Sequence, residues 1–144
     1  MQEAAIDIVV RDGRPDEEAL VYKSWVGTYS SSLFARGISR GLFEERHTKL
    51  VRDILKRGGV IRVAHAAEEP DAILGWAVIE RPNVLHYVYV KEPFRRLGIA
   101  RRLVAEVPAR FRFTHYHQNA DQFVNKFRGD KGGMYDPYLA WSTR

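Results

Sequence analysis

The stretch from Val84 to Gln118 constrains the fold more than any other part of the chain. VLHYVYV (Val84 to Val90) is dense in β-branched and aromatic residues and reads as a strand. It passes through Pro93 and Arg95-Arg96-Leu97-Gly98 into an apolar helical pattern over Gly98 to Val107, which Pro108 stops, and FRFTHYHQ (Phe111 to Gln118) reads as the next strand. A strand that leaves through a helix and returns as a strand makes a right-handed crossover, and the two strands become near-parallel neighbours. The expected fold class is therefore mixed α/β.

The rest of the chain fits around that unit. IDIVV (Ile6 to Val10) reads as a first strand, followed by a turn-like Arg-Asp-Gly-Arg-Pro-Asp cluster. A helix opens at Pro15 or Asp16, with Glu17 and Glu18 at its positive end and Leu20, Val21, Trp25 and Val26 at helical spacing, until Ser30-Ser31-Ser32 and Gly37 interrupt it. A second helix runs from about Leu42 to Lys56 and is closed by Gly58-Gly59. Val60 to Glu68 and Ala72 to Glu80 form an antiparallel hairpin turned at Glu69-Pro70-Asp71. Arg81-Pro82-Asn83 then leads into Val84 to Val90, completing a three-strand meander. Beyond Gln118 the spacing gives a short helix at Asn119 to Phe127, a glycine-rich stretch and a last aromatic strand, MYDPYLAW. With 144 residues and no low-complexity linker, one domain over residues 1–144 is expected.

Composition narrows the function classes. Hydrophobic residues are 45% and charged residues 28%, and no apolar run has the length of a bilayer span. There is no cysteine, so disulfides, thiolate metal sites and a thiol nucleophile are excluded. MQEAAIDIVVRDG lacks a basic region followed by a long apolar stretch, and a cytoplasmic location is expected. The net charge of +5 suits a nucleic acid, an acidic protein or a phosphate-rich cofactor, or is simply a solvated basic surface. No nucleic-acid-binding helix or stacking sheet is recognisable, so nucleic acid ranks last among these partners despite the interleaved Arg110 to Phe113.

The loop between strand and helix carries the chemistry. A short glycine-containing turn into a helix aims unpaired backbone N–H groups at one point, and Arg95, Arg96, Arg101 and Arg102 add positive charge around it. Gly98 would let a phosphate approach the backbone, and the small Ala100 leaves the first turn uncrowded. On spacing alone, a pyrophosphate site and an ordinary strand-to-helix connection on a basic surface stand level.

Arg95-Arg96-Leu97-Gly98-Ile99-Ala100 resembles the R/Q-x-x-G-x-G/A motif of the GNAT superfamily of acyl-CoA-dependent N-acyltransferases. Its setting is similar too: a strand ending in Val90, Pro93-Phe94 before the motif, an apolar helix after it, and the element order from Ile6 to about Gln118. The chain also resembles small GNAT proteins encoded in phage genomes. The resemblance implies a mixed sheet with helices on both faces and acetyl-CoA as cosubstrate, with no metal. It further implies that Arg95, Arg96, Leu97, Gly98, Ile99, Ala100 and Arg101 wrap the CoA pyrophosphate. Free strand-edge groups of Val88 and Val90 would hydrogen-bond the pantetheine arm where their strand splays from Phe111 to Gln118. The resemblance also implies that Asn119 is the Asn that many relatives carry near a tyrosine in the helix after the fifth strand, and counts it among the cofactor-binding residues.

Acetyl transfer to an amine needs a base for the amine proton and an acid for the leaving thiolate. His86 lies four residues before Val90, so strand alternation puts it on the face of Val88 and Val90 and opposite Tyr87 and Tyr89. The resemblance implies a Glu or His base on this strand; a hydrogen-bonded histidine between sheet and helix is the competing reading. The family's acid, a tyrosine in the helix after the fifth strand, has no counterpart in ADQFVNKF, which leaves Tyr138 and Tyr135 of the aromatic tail, each also suited to packing or strand pairing. His115 and His117 share a strand face, but no carboxylate at matching spacing completes a metal set. The acceptor would be a small-molecule or peptide amine, bound near Tyr29 to Gly41, with Trp25, Tyr29, Phe34, Arg36 and Arg40 as lining or as ordinary surface. Three readings follow: an N-acetyltransferase working by direct attack in a ternary complex, a catalytically degenerate GNAT-like CoA-binding or interaction module, and, last, a nucleic-acid binder. A homodimer is open in each.

Overall fold

The run AILGWAVIE is almost continuously hydrophobic because both faces of its strand are covered. In the computed structural model, which describes residues 7–30, 35–108, 110–115 and 133–141, this run lies in β3 (Glu69–Glu80), and every residue from Ile73 to Glu80 is buried. Trp76 and Val78 face one layer, where Val21, Trp25 and Val26 of α1 (Glu18–Ser30) pack with Phe43, Leu50 and Ile54 of α2 (Arg40–Lys56). Ala77 and Ile79 face the other, against Ile99 and Leu103 of α3 (Ile99–Leu103). Each of the fully buried side chains Trp25, Ile54, Ile79 and Ile99 contributes about 2 kcal/mol by leaving water.

The sheet completes this sandwich of layers. Its order is β1 (Ile8–Asp12), β2 (Val60–Ala66), β3, β4 (Val84–Val90), β5 (Arg112–Phe113), β6 (Met134–Tyr135). The first four strands pair antiparallel, while β4–β5 and β5–β6 pair parallel. The expected parallel neighbour of the VLHYVYV strand is therefore present, with helices on both faces of the sheet.

Several boundaries differ from the sequence reading for physical reasons. Glu69-Pro70-Asp71 extends β3 instead of turning the hairpin, because Ala67-Glu68 makes the turn and Pro70 falls between the paired positions Ala66–Glu69 and His65–Ile73, where no ladder N–H is required. The helix expected over Gly98 to Val107 is five residues long, closing where the Val104 N–H turns onto Ala100 and Arg102 carbonyls, and Glu106 is drawn to Arg81 at 2.6 Å. The aromatic tail is strand only at Met134–Tyr135; Pro137, with its fixed φ, starts a 3-10 turn over Pro137–Ala140. The second helix begins at Arg40, where the Ser39 hydroxyl accepts the Leu42 N–H at 3.3 Å. Ile6, Phe34, His117 and the helix expected at Asn119 to Phe127 lie outside the described residues.

Candidate active site

A β-bulge re-aims the histidine of β4. Ile79 pairs with Leu85 and Val78 pairs with Tyr87, which leaves His86 as an extra residue with no cross-strand partner. Simple alternation therefore fails here, and His86 does not share the face of Val88 and Val90 as expected. It turns instead toward α1 and α2, on the same side as Tyr87, with its ring 6.2 Å from the Trp25 ring. Tyr87 stacks flat on Trp25 at 5.4 Å, and its hydroxyl meets those of Ser24 and Thr28.

His86 is only 1% exposed, and both ring nitrogens are engaged. Nε2 lies 2.8 Å from Glu80 Oε1, and Nδ1 lies 2.8 Å from Thr114 Oγ1. The same hydroxyl is 2.9 Å from Nδ1 of His115, whose Nε2 is 3.0 Å from Nε2 of His47 on α2. At the far end Arg57, just past α2, donates to Glu80 at 3.0 Å and to the backbone carbonyls of Leu139 and Ala140 at 2.6 and 3.0 Å. Five side chains from α2, β3, β4 and the end of β5 thus form one largely buried polar chain, closed by an arginine.

The chain ends at a small cavity. Tyr29, His47, Thr114, His115 and Tyr135 are among its walls, and its volume of about 30 Å³ has room for one or two water molecules or the tip of an amine. Thr114 and His115, which follow β5, line it, and the Thr114 N–H to Leu85 carbonyl bond, 3.2 Å, is the last between β4 and β5 among the described residues. Trp25 packs edge-on against both His47 and His115, and in that apolar setting burial lowers His47 to about 4 and holds His115 well below the usual imidazole range, with His47 and His86 adding to the effect on His115. The hydrogen bond from His86, with Arg57 beside it, lowers Glu80 to about 2, so its carboxylate is ionised at neutral pH. Burial raises the Tyr135 phenol, which keeps its proton.

The second candidate feature is the edge of β4 turned away from β3. The Lys91 N–H bonds the Leu74 carbonyl, so Lys91, Tyr89 and Tyr87 direct their backbone groups at β3, and those of Val88 and Val90 point away from it, toward the β5 side. One of these four groups is already used: the Val90 carbonyl accepts from Arg95 Nε at 2.9 Å, with the guanidinium carbon 5.6 Å above the Tyr89 ring. Arg95 is therefore anchored to the strand it follows. Arg96 and Gly98 both adopt left-handed backbone, with φ of 68° and 78°. Leu97 is exposed, whereas Ile99 is 1% exposed and pins the loop to the sheet; Ala100 packs on the same cluster, and Arg101 and Arg102 face solvent. Apart from its chain neighbours, no described residue lies within 4 Å of where a Gly98 side chain would begin, so the space over this loop is open among the described residues.

The remaining candidates are placed less centrally. Tyr138 is 80% exposed on the last 3-10 turn and does not line the histidine cavity, which Tyr135 does. Neither packing nor strand pairing describes Tyr138. In the expected acceptor region, Trp25 and Tyr29 are core residues, Arg36 is exposed and Arg40 pairs with Glu44 at 2.9 Å. Asn119 lies outside the described residues. Sequence reading missed His47, Glu80, Arg57 and Thr114. The only signal for them was polar residues interrupting apolar patterns, as His47 does on the inward stripe of α2 and Glu80 does at the end of β3. Among the described residues no group of three metal-ligating side chains occurs, and no helix is long and apolar enough to cross a membrane.

Comparison with known proteins bears on the family and the fold. Residues 36–127 match the family model described as an acetyltransferase (GNAT) domain. The fold is similar to that of a Pyrococcus furiosus protein described as an acetyl transferase, at 21% identity and a TM-score of 0.55, covering 94% of this chain and 89% of that one. It is also similar to the GCN5-related N-acetyltransferase of Rhodopseudomonas palustris, at 12% identity and a TM-score of 0.54, covering 87% and 83%. No curated protein sequence matches the chain.

Proposed function

The chain belongs to the GNAT acetyltransferase family, and from that premise we propose that it transfers an acetyl group from acetyl-CoA to a primary amine by direct attack in a ternary complex. The observation that carries this reading is the histidine-lined cavity beside the end of β5, next to the last β4–β5 bond among the described residues, with the backbone groups of Val88 and Val90 turned away from β3 toward the β5 side. The pyrophosphate would lie on the backbone of Arg95 to Arg101, over the open space at Gly98. Val88 would be the main partner of the pantetheine amides, because Arg95 already holds the Val90 carbonyl.

The thioester carbon would then sit between the β4 edge and the histidine cavity. The amine enters from the side of Tyr29 and His47, forms the C–N bond, and the C–S bond breaks to release CoA thiolate. The His47–His115 pair is neutral at physiological pH and is the nearest basic group to that point, whereas His86 is enclosed. The protonated Tyr135 phenol is the better-placed acid of the two tail tyrosines. No cysteine exists to carry the acetyl group covalently.

Enclosure of His86 favours one alternative, a CoA-binding module with no turnover, since its nitrogens already face Glu80 and Thr114. Calorimetric titration with acetyl-CoA, followed by assay of free CoA release over a panel of primary amines, tests both. Saturable binding with amine-dependent release supports the transferase. Binding without release for any amine supports the module, and no binding to the folded protein rejects both.

A further inference from the structure

The donors and acceptors in the buried chain can be assigned, because its first member can only accept. The Glu80 carboxylate has no proton to give, so His86 Nε2 carries hydrogen and donates to it. A neutral His86 then accepts at Nδ1 from the Thr114 hydroxyl. That hydroxyl, having used its proton, accepts from His115 Nδ1–H, and His115 Nε2 accepts from His47 Nε2–H. Every bond points the same way.

A chain with one polarity has one other consistent state, reached by adding a single proton at its cavity end. If the His47 ring gains a proton, it passes its Nε2 hydrogen to His115 Nε2. His115 passes its Nδ1 hydrogen to Thr114 Oγ1, and Thr114 passes its own hydrogen to His86 Nδ1. Each ring and the hydroxyl then hold the same number of hydrogens as before, except His86, which holds one more and lies against the Glu80 carboxylate. The positive charge has moved from the cavity to the carboxylate without any side chain moving.

We infer that Glu80, His86, Thr114, His115 and His47 form a proton relay, in which the proton lost by the reacting group at the cavity is held on His86 against Glu80. The inference rests on the acetyltransferase reading for the source of that proton: the attacking amine gives it up as the C–N bond forms, and it returns along the chain to Tyr135, whose phenol protonates the departing thiolate. The surroundings suit this direction of travel. Among the described residues, Trp25 and Tyr29 of α1 and Tyr135 of β6 pack around His47 and His115, while His86 faces a carboxylate backed by Arg57. Among the described residues that face the chain, the remaining titratable group is Tyr87, whose phenol burial raises. His86, Thr114 and Glu80 are thus positioning residues that work through the His47–His115 pair.

The relay can be tested without an acceptor, by nitrogen-15 NMR of the histidine rings in the free protein. The expected neutral tautomers are hydrogen on Nε2 of His86, Nδ1 of His115 and Nε2 of His47, with His86 the first of the three to hold two protons on acidification. Solvent exchange of the His86 ring N–H should slow about tenfold or more in Thr114→Val, which removes the hydroxyl at constant shape, and recover in Thr114→Ser. Exchange in Thr114→Val as fast as in the wild type, or first protonation of His47 or His115, would overturn the relay. Where an amine supports turnover, Thr114→Val should lower kcat about 100-fold at unchanged KM for acetyl-CoA, and Thr114→Ser should restore it. A correct NMR result with no turnover for any amine would reject the transferase reading while leaving the relay standing.

Discussion

Gly98 separates the cost of folding from the cost of binding. Its φ of 78° is left-handed, and apart from its chain neighbours a side chain there meets no described residue within 4 Å. Gly98→Ala should therefore lose only the conformational penalty, about 1 kcal/mol of stability. The methyl group would nevertheless stand in the open space that the phosphate reading fills. Acetyl-CoA affinity should fall at least about tenfold in Gly98→Ala and beyond detection in Gly98→Val, while the thermal midpoint moves by a few degrees. Calorimetry with both variants decides the matter: unchanged affinity would remove the pyrophosphate from this loop. Arg96, also left-handed at φ 68° but not a glycine, marks the same backbone as strained where a ligand is expected.

At the scale of elements, Arg57 is the bolt between three of them. It leaves the end of α2, pairs with Glu80 at the end of β3, and donates to the Leu139 and Ala140 carbonyls of the last 3-10 turn. Arg57→Ala would leave the Glu80 carboxylate buried with His86 alone and the turn without its donors, so we expect a loss of about 3 kcal/mol or more, read as a lower denaturation midpoint. The tail residues 133–141 should become protease-sensitive before the rest of the chain. Equal sensitivity of tail and body would show that Arg57 does not hold the turn in place.

The same residues show which elements the sequence reveals. β3, β4 and the turn into α3 are legible because apolar run length, β-branching and a glycine before a helical pattern are local signals. The bulge at His86 is not, since it arises from how β4 pairs with β3, and one extra residue turns His86 to the opposite face. Nor is the buried chain, whose contacts join residues from His47 to His115; no spacing rule connects them. The loop half of the candidate site was thus readable from residue types, whereas the histidine half needed the fold to bring His47, Thr114 and Glu80 to the histidine already singled out.

For the molecule as a whole, the buried histidines and carboxylate set how stability depends on pH. His47 titrates near 4 when folded against 6.5 in the open chain, and His115 is displaced the same way, so the unfolded state binds more protons than the folded state as pH falls below 6.5. Stability therefore rises with pH across this window and is lost on acidification, with His47 alone accounting for roughly 3 kcal/mol once pH reaches its folded value. Glu80, lowered from 4.5 to about 2 by His86 and Arg57, contributes stability that is present above 4.5 and lost as pH falls toward 2, so the losses follow one another. His47→Gln isolates the first. The Gln amide N–H can still donate to His115 Nε2, but it does not titrate. Denaturant unfolding measured from pH 7 to 4 should show a shallower decline for His47→Gln than for the wild type, the two curves converging toward acid. Parallel curves would mean that His47 is protonated in the folded protein as easily as in the unfolded one, and that the apolar wall of Trp25 and Tyr29 does not exclude charge from the cavity.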